Sequence, residues 1–187
     1  MRSENERSLL ERAQHFDAEA LAEIFDFYNA SIYRYALRLL GDGDQARECM
    51  SETFSRFLGA LRRGVGPREY LQAYLFRIAH NWITDYYRSQ IPPSLPLDLN
   101  LRSDSAEEPP QVVADQVEIQ QVRSALALLT PDQRQVIALK YLEDWENVEI
   151  ARAMEKPVGA IKSLHHRAIE SLRRLLGQER ESGDETN

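Results

Sequence analysis

The chain has 187 residues, a formal net charge of −7, 43% hydrophobic and 28% charged residues, and one cysteine, Cys49. That length suits one medium domain or two small ones; no apolar run reaches the ~18 residues of a membrane span, and the polar N-terminus lacks a signal peptide's apolar core. One cysteine excludes an internal disulfide and a thiolate zinc site, and no Walker loop, nucleophile elbow or His-Glu-x-x-His run appears, so the expectation is a cytoplasmic protein without membrane insertion, catalysis, metal or cofactor.

Taken in chain order, the first element is a helix whose apolar stripe is Leu21, Ile24, Phe25, Tyr28, Ile32, Tyr35, Ala36 and Leu39, at steps of three and four. Gly41-Asp42-Gly43 stops it. A second helix is predicted over about 44–61, with Ala46, Met50, Phe54, Phe57 and Leu61 facing inward, followed by the basic turn RRGVGPR. A third, over about 69–88, should bury Leu75, Ile78, Ala79, Trp82, Ile83 and Tyr86, leaving Arg77, His80, Asn81, Thr84 and Arg88 on a polar face.

Five of the eight prolines fall between Ile91 and Pro110, where the sequence is also acidic. Proline withholds an amide and biases its predecessor away from helix, so 91–114 reads as a linker between domains at 1–90 and 115–176. The linker and the polar tail 177–187, expected to be disordered, each carry a net −3. Six of the seven excess negative charges therefore lie outside the two domains.

Beyond the linker comes a helix with Val117, Val122, Leu126 and Leu129 as its apolar set, then Thr130-Pro131-Asp132-Gln133. Thr130 can cap, Pro131 suits the first helical position and Gln133 can close a capping box. A short helix, VEIARAM, a break at Glu155-Lys156-Pro157 and a longer amphipathic helix complete helix-turn-helix proportions. Lys162, His166, Arg167 and Arg173 lie off the apolar stripe of that last helix, a spacing that suits a recognition helix and equally a solvated face. The neighbours His165 and His166 point about 100° apart on a helix, a poor arrangement for sharing one ion.

The stretch 129–176, with LTPDQRQVIALKY, EIA, PVGAIKS and HRA…LRRLL, resembles region 4 of RNA polymerase sigma factors of the extracytoplasmic-function (ECF) group of the sigma-70 family. GDGDQARECMSETF is similar to the polymerase-clamp helix of region 2, and YLFRIAHNWITDYYR to its −10-reading helix. The resemblance implies an all-α chain of two small helical domains, a region 2 bundle and a region 4 helix-turn-helix, joined by the Pro-rich acidic linker. It implies a factor that binds core RNA polymerase at the largest-subunit clamp and at the flap, directs promoter recognition and transcription initiation, and meets an anti-sigma factor. Polymerase contact would fall to Asp44, Glu48, Glu52 and Phe54; −10 DNA to Arg68, Tyr70, Arg77, His80, Asn81 and Arg88; −35 DNA to Lys162, Ser163, His166, Arg167 and Arg173. The rival readings are an ordinary helix-turn-helix regulator and a helical adaptor that does not read DNA. Two departures stand out: Glu155 replaces the usual turn glycine, and KSLHHRA replaces KSRLHRA.

Overall fold

The computed structural model describes the backbone of 3–90 and 110–184 and the side chains of 6–90 and 119–177. Eight helices and no strand occur among the described residues: α1 (Ser3–Gln14), α2 (Ala18–Leu40), α3 (Gly43–Arg62), α4 (Leu71–Gln90), α5 (Pro110–Leu128), α6 (Pro131–Tyr141), α7 (Asn147–Met154) and α8 (Val158–Asp184). The expected linker lies outside the described residues except at 110–114, which already belong to α5, and the expected tail is helical as far as Asp184.

Local chemistry sets these boundaries. The Asp17 side chain caps α2 by accepting from the Ala20 amide at 2.8 Å. Gly41, at φ 77°, ends α2 in the left-handed conformation, and Asp42 then caps α3 by accepting from the amides of Asp44 and Gln45. Thr130 and Gln133 form the reciprocal capping box read from the sequence. The entry to α4 has another solution: Tyr70 stands at φ 55°, and the Leu71 amide donates to the Glu6 carboxylate of α1 at 2.6 Å. Helix α1 also holds the loop before α4 through Gln14 to the Pro67 carbonyl and Arg7 to Glu69. Within that loop a Cβ on Gly66 would come within 2.5 Å of the Leu61 side chain, so a larger residue there would make the buried Leu61 shift.

Helices α1–α4 pack as one bundle around Ile24, Ile32, Tyr35, Phe57, Leu75, Phe76 and Ile83, all nearly inaccessible. Cys49 lies in this core, its Sγ 3.7 Å from the Ala79 carbonyl, and burial pushes its thiol up to about 12. Helices α5–α8 enclose Val136, Leu139, Ile150, Ile161 and Ala168. The two units pack on each other chiefly where α7 meets α4 and α5 meets α2. Phe76 packs on Trp145 with ring centroids 5.1 Å apart, His80 donates from Nε2 to the Pro131 carbonyl at 3.1 Å, and Arg123 reaches the Arg38 carbonyl.

Five inward expectations need correction. Phe25 is 41% exposed and lies against Phe54, centroids 4.8 Å apart, instead of within the core. Ile78, Trp82 and Tyr86 are only half-buried, and Trp82 stacks on Tyr86. Their places in the α4 interior are taken by Phe76, His80 and Thr84, because the C-terminal unit covers that side of the helix through Trp145 and Pro131. Val122 of α5 is exposed, and Val117 lies outside the described side chains.

Candidate nucleic-acid interface

The polar face expected on α4 divides into two. Asn81 and Arg88 are exposed. Arg77 is half-buried and ion-paired across the domain boundary to Glu155. His80 is 2% exposed, contrary to the open polar position expected for it. Its Nε2 proton goes to Pro131, so Nδ1 accepts from the Tyr35 hydroxyl at 2.9 Å. Burial, then the nearby Arg134 cation, lower its pKa to about 3. Thr84 is also buried, and its hydroxyl has no hydrogen-bond partner among the described residues.

One turn beyond Arg77 on α4, Asn81 opens onto a cleft of about 610 Å³ between α3 and α4. Arg56, Arg62, Arg63, Tyr74 and Ile78 share its lining. Three guanidinium groups, an aromatic ring and an amide suit a single nucleic-acid strand: the cations meet phosphates, the ring stacks on a base and the amide reads an edge. The arginines were not singled out from the sequence, although the RRGVGPR turn displays two of them. Arg68 is exposed on the loop above, and Tyr70 is 49% exposed with the Arg152 guanidinium 4.3 Å from its ring centroid.

The second surface is the outer side of α8. Lys162, Ser163, His166, Arg167 and Arg173 are all exposed. Ser163 donates to the Gly159 carbonyl and Arg167 to that of Ser163, while His166 lies 3.5 Å from Glu170. The KSLHHRA departure has a local cause: Leu164 packs inward, and His165 stacks on Tyr141 of α6 with 2.9 Å between ring nitrogen and hydroxyl. The turn before α8 is tight, with Glu155 at φ 53° and Lys156 tied to Asp132 at 3.2 Å.

The third surface is on α3. Asp44 and Glu48 are exposed and Glu52 half-exposed at four-residue spacing, a single acidic stripe. Asp44 pairs with Arg47, and Glu52 with Arg56 at 2.7 Å. Phe54, expected beside them, is 7% exposed and belongs to the core; Phe25 presents the accessible ring at that place. Among the described residues no cluster of His, Cys, Asp or Glu could hold a metal ion, and no helix is long and apolar enough to cross a membrane.

A bundle whose open basic cleft is followed by a helix-turn-helix with an exposed polar recognition helix defines a two-part nucleic-acid-binding protein. Its two parts match known families: residues 24–91 match Sigma-70 region 2 and residues 119–172 match Sigma-70, region 4. The chain belongs to the sigma-70 family, in its ECF group. It is 31% identical to the ECF RNA polymerase sigma factor SigW of Bacillus subtilis, over 86% of this chain and 90% of that protein. It is 33% identical to the ECF RNA polymerase sigma factor BldN of Streptomyces coelicolor over 90% of its own length, and spans 64% of BldN. In fold it is similar to CnrH in complex with the cytosolic domain of CnrY, at TM-score 0.67 and 23% identity, covering 92% of this chain and 97% of that one.

Proposed function

We propose that this sigma factor binds core RNA polymerase and directs it to promoters through two DNA contacts, one made by α4 with its cleft and one by α8. The observation that carries the reading is the pair of matched regions in order, each presenting exposed groups suited to its task. Lys162, Ser163, His166 and Arg167 enter the major groove at −35, with Arg173 on the backbone. Asn81, Arg88, Arg68 and Tyr70 hold the −10 strand, joined by Arg77 and His80 once region 4 leaves them. Capturing an unpaired base lets a protein without ATP favour melting, since opening costs a few kcal/mol per base. The acidic stripe of Asp44, Glu48 and Glu52, with Phe25 beside Phe54, is the polymerase-clamp surface, and region 4 also meets the flap. An anti-sigma factor is a further partner: CnrH was solved with the cytosolic domain of CnrY, and a similar fold, RpoE of Bartonella quintana, with the anti-sigma factor NepR. The working compartment is the cytoplasm.

The test is transcription in vitro with core polymerase on a genomic library. Start sites sharing −10 and −35 sequences are expected only when the protein is added. Replacing Arg167 by Ala should cost about 1–3 kcal/mol of −35 discrimination while polymerase binding persists. A specific nanomolar complex of the lone protein with duplex DNA, without polymerase dependence, would replace this reading by that of an ordinary regulator.

A further inference from the structure

We propose that residues 6–16, which are α1 and the turn after it, act as the positioning element for the promoter-reading stretch 62–71 between α3 and α4. The inference rests on the reading of that stretch as part of the −10 contact, through Arg62, Arg68 and Tyr70. Its basis is a register of contacts that runs antiparallel: Glu6 meets Leu71, Arg7 meets Glu69, Gln14 meets Pro67 and Phe16 meets Arg62. The Leu71 amide donates to the Glu6 carboxylate at 2.6 Å, and Gln14 donates from Nε2 to the Pro67 carbonyl at 3.3 Å. The Arg62 guanidinium lies 5.8 Å from the Phe16 ring centroid, so the turn after α1 also sets the direction of a cleft arginine. The Arg7–Glu69 pair is exposed and adds little. The match to Sigma-70 region 2 begins at residue 24, so every one of these bracing residues precedes it.

The stretch has little of its own to hold it. Helices α2, α3 and α6 are capped by the residue just before them, Asp17, Asp42 and Thr130. The first turn of α4 instead draws its carboxylate from 65 positions earlier in the chain. That carboxylate also meets the positive end of the helix dipole. Tyr70 enters α4 at φ 55°, a conformation unfavourable for a residue with a Cβ. Among the described residues no amide of 66–70 donates a backbone hydrogen bond. A loop ordered only by its ligand loses its conformational freedom at the moment of binding. Here α1 has ordered it in advance. The brace is itself fixed from behind, because Leu9, Leu10 and Ala13 are buried in the bundle core. One side of α1 thus belongs to the fold, and its polar edge belongs to the loop.

The experiment uses the full chain with core polymerase. The variant is Glu6→Ala with Gln14→Ala, which removes both hydrogen bonds and leaves the apolar side of α1 intact. Glu6→Gln keeps an acceptor for the Leu71 amide and is the conservative control. Initiation is measured on a promoter from the start-site mapping, on the same promoter with a substituted −10 base, and on one with a substituted −35 base. The expected result for the double variant is about a fivefold loss of −10 discrimination, the size of one hydrogen bond. Its −35 discrimination and its polymerase affinity should stay at wild-type values, and Glu6→Gln should match wild type throughout. Hydrogen exchange should quicken at residues 64–71 and not in the core of the bundle. Unchanged −10 discrimination overturns the brace. So does an equal loss on all three templates, which is what a plain loss of stability would give. If the wild-type chain itself fails to initiate, the sigma reading fails and the brace falls with it.

Discussion

At Asn81 and Trp82, adjacent residues on α4, the environments differ enough to separate reading DNA from holding the fold. Asn81 is exposed at the cleft, so Asn81→Ala should leave the thermal midpoint nearly unchanged while reducing open-complex formation. A template already unpaired at −10 should restore part of the loss, because the unpairing cost is removed in advance. Trp82 is half-buried on Tyr86, so Trp82→Ala should cost about 1–2 kcal/mol, below the several expected for a filled core site. Permanganate footprinting with thermal melts on both variants checks this pair. Immediately before them on α4, His80 makes the packing of the two units pH-dependent. Its folded pKa, about 3, lies below the ordinary 6.5, so the unfolded or opened chain binds more protons between those values. Packing is constant above about pH 6.5 and weakens as the pH falls, by about 1.4 kcal/mol per unit, or about 2 kcal/mol near pH 5. Melting curves across that range should show the slope in wild type and lose it in His80→Gln.

At the scale of elements, caps and turns are where the chain's local chemistry is most open to test. Glu155 closes α7 in the left-handed conformation, at φ 53°. Glu155→Gly should remove a strain of about 1 kcal/mol. It also removes the carboxylate that holds Arg77, so region 4 should gain stability while the two units part more readily. Hydrogen exchange, read separately on α6–α8 and on the α4 face, resolves the two effects. Thr130→Ala should lose about 1 kcal/mol from α6, because the Gln133 amide then loses the Thr130 hydroxyl that accepts from it.

For the whole molecule, the sequence carried the helices well and their mutual packing poorly. Periodicity placed the α2 stripe, the capping box at Thr130 and the break at Glu155 because each is decided within a few residues. The exposure of Phe25, Trp82 and His80 was not legible, since it depends on which side of a helix meets a partner far along the chain. Helix α4 has apolar residues on more than half its circumference, and the docking of the C-terminal unit, through Trp145 and Pro131, decides that Phe76 and His80 are covered instead of Ile78 and Trp82. The residues proposed for −35 contact, Lys162, Ser163, His166, Arg167 and Arg173, all lie on the exposed side of α8, as its strong amphipathic pattern implies. Beside the proposed −10 residues, the cleft arginines Arg56, Arg62 and Arg63 were hidden because they come from α3 and its C-cap and not from the helix of Asn81. A net charge of −7 alone predicts weak DNA affinity for the lone chain; the covered face of α4 supplies a second reason with a different signature. Raising salt should change a charge effect steeply, whereas a covered face persists until the units separate.

Cys49 offers a clock for the interior of the same molecule. Its sulfur is fully inaccessible between α3 and α4, and its thiol stays protonated at any working pH. A thiol reagent therefore waits for region 2 itself to open, and the labelling rate in excess reagent counts those openings. As the sequence holds no other cysteine, that count needs no mutation and no background correction. Run with and without core polymerase, the trace would show how much the bundle tightens on docking. It would do so at a position that touches neither DNA nor polymerase.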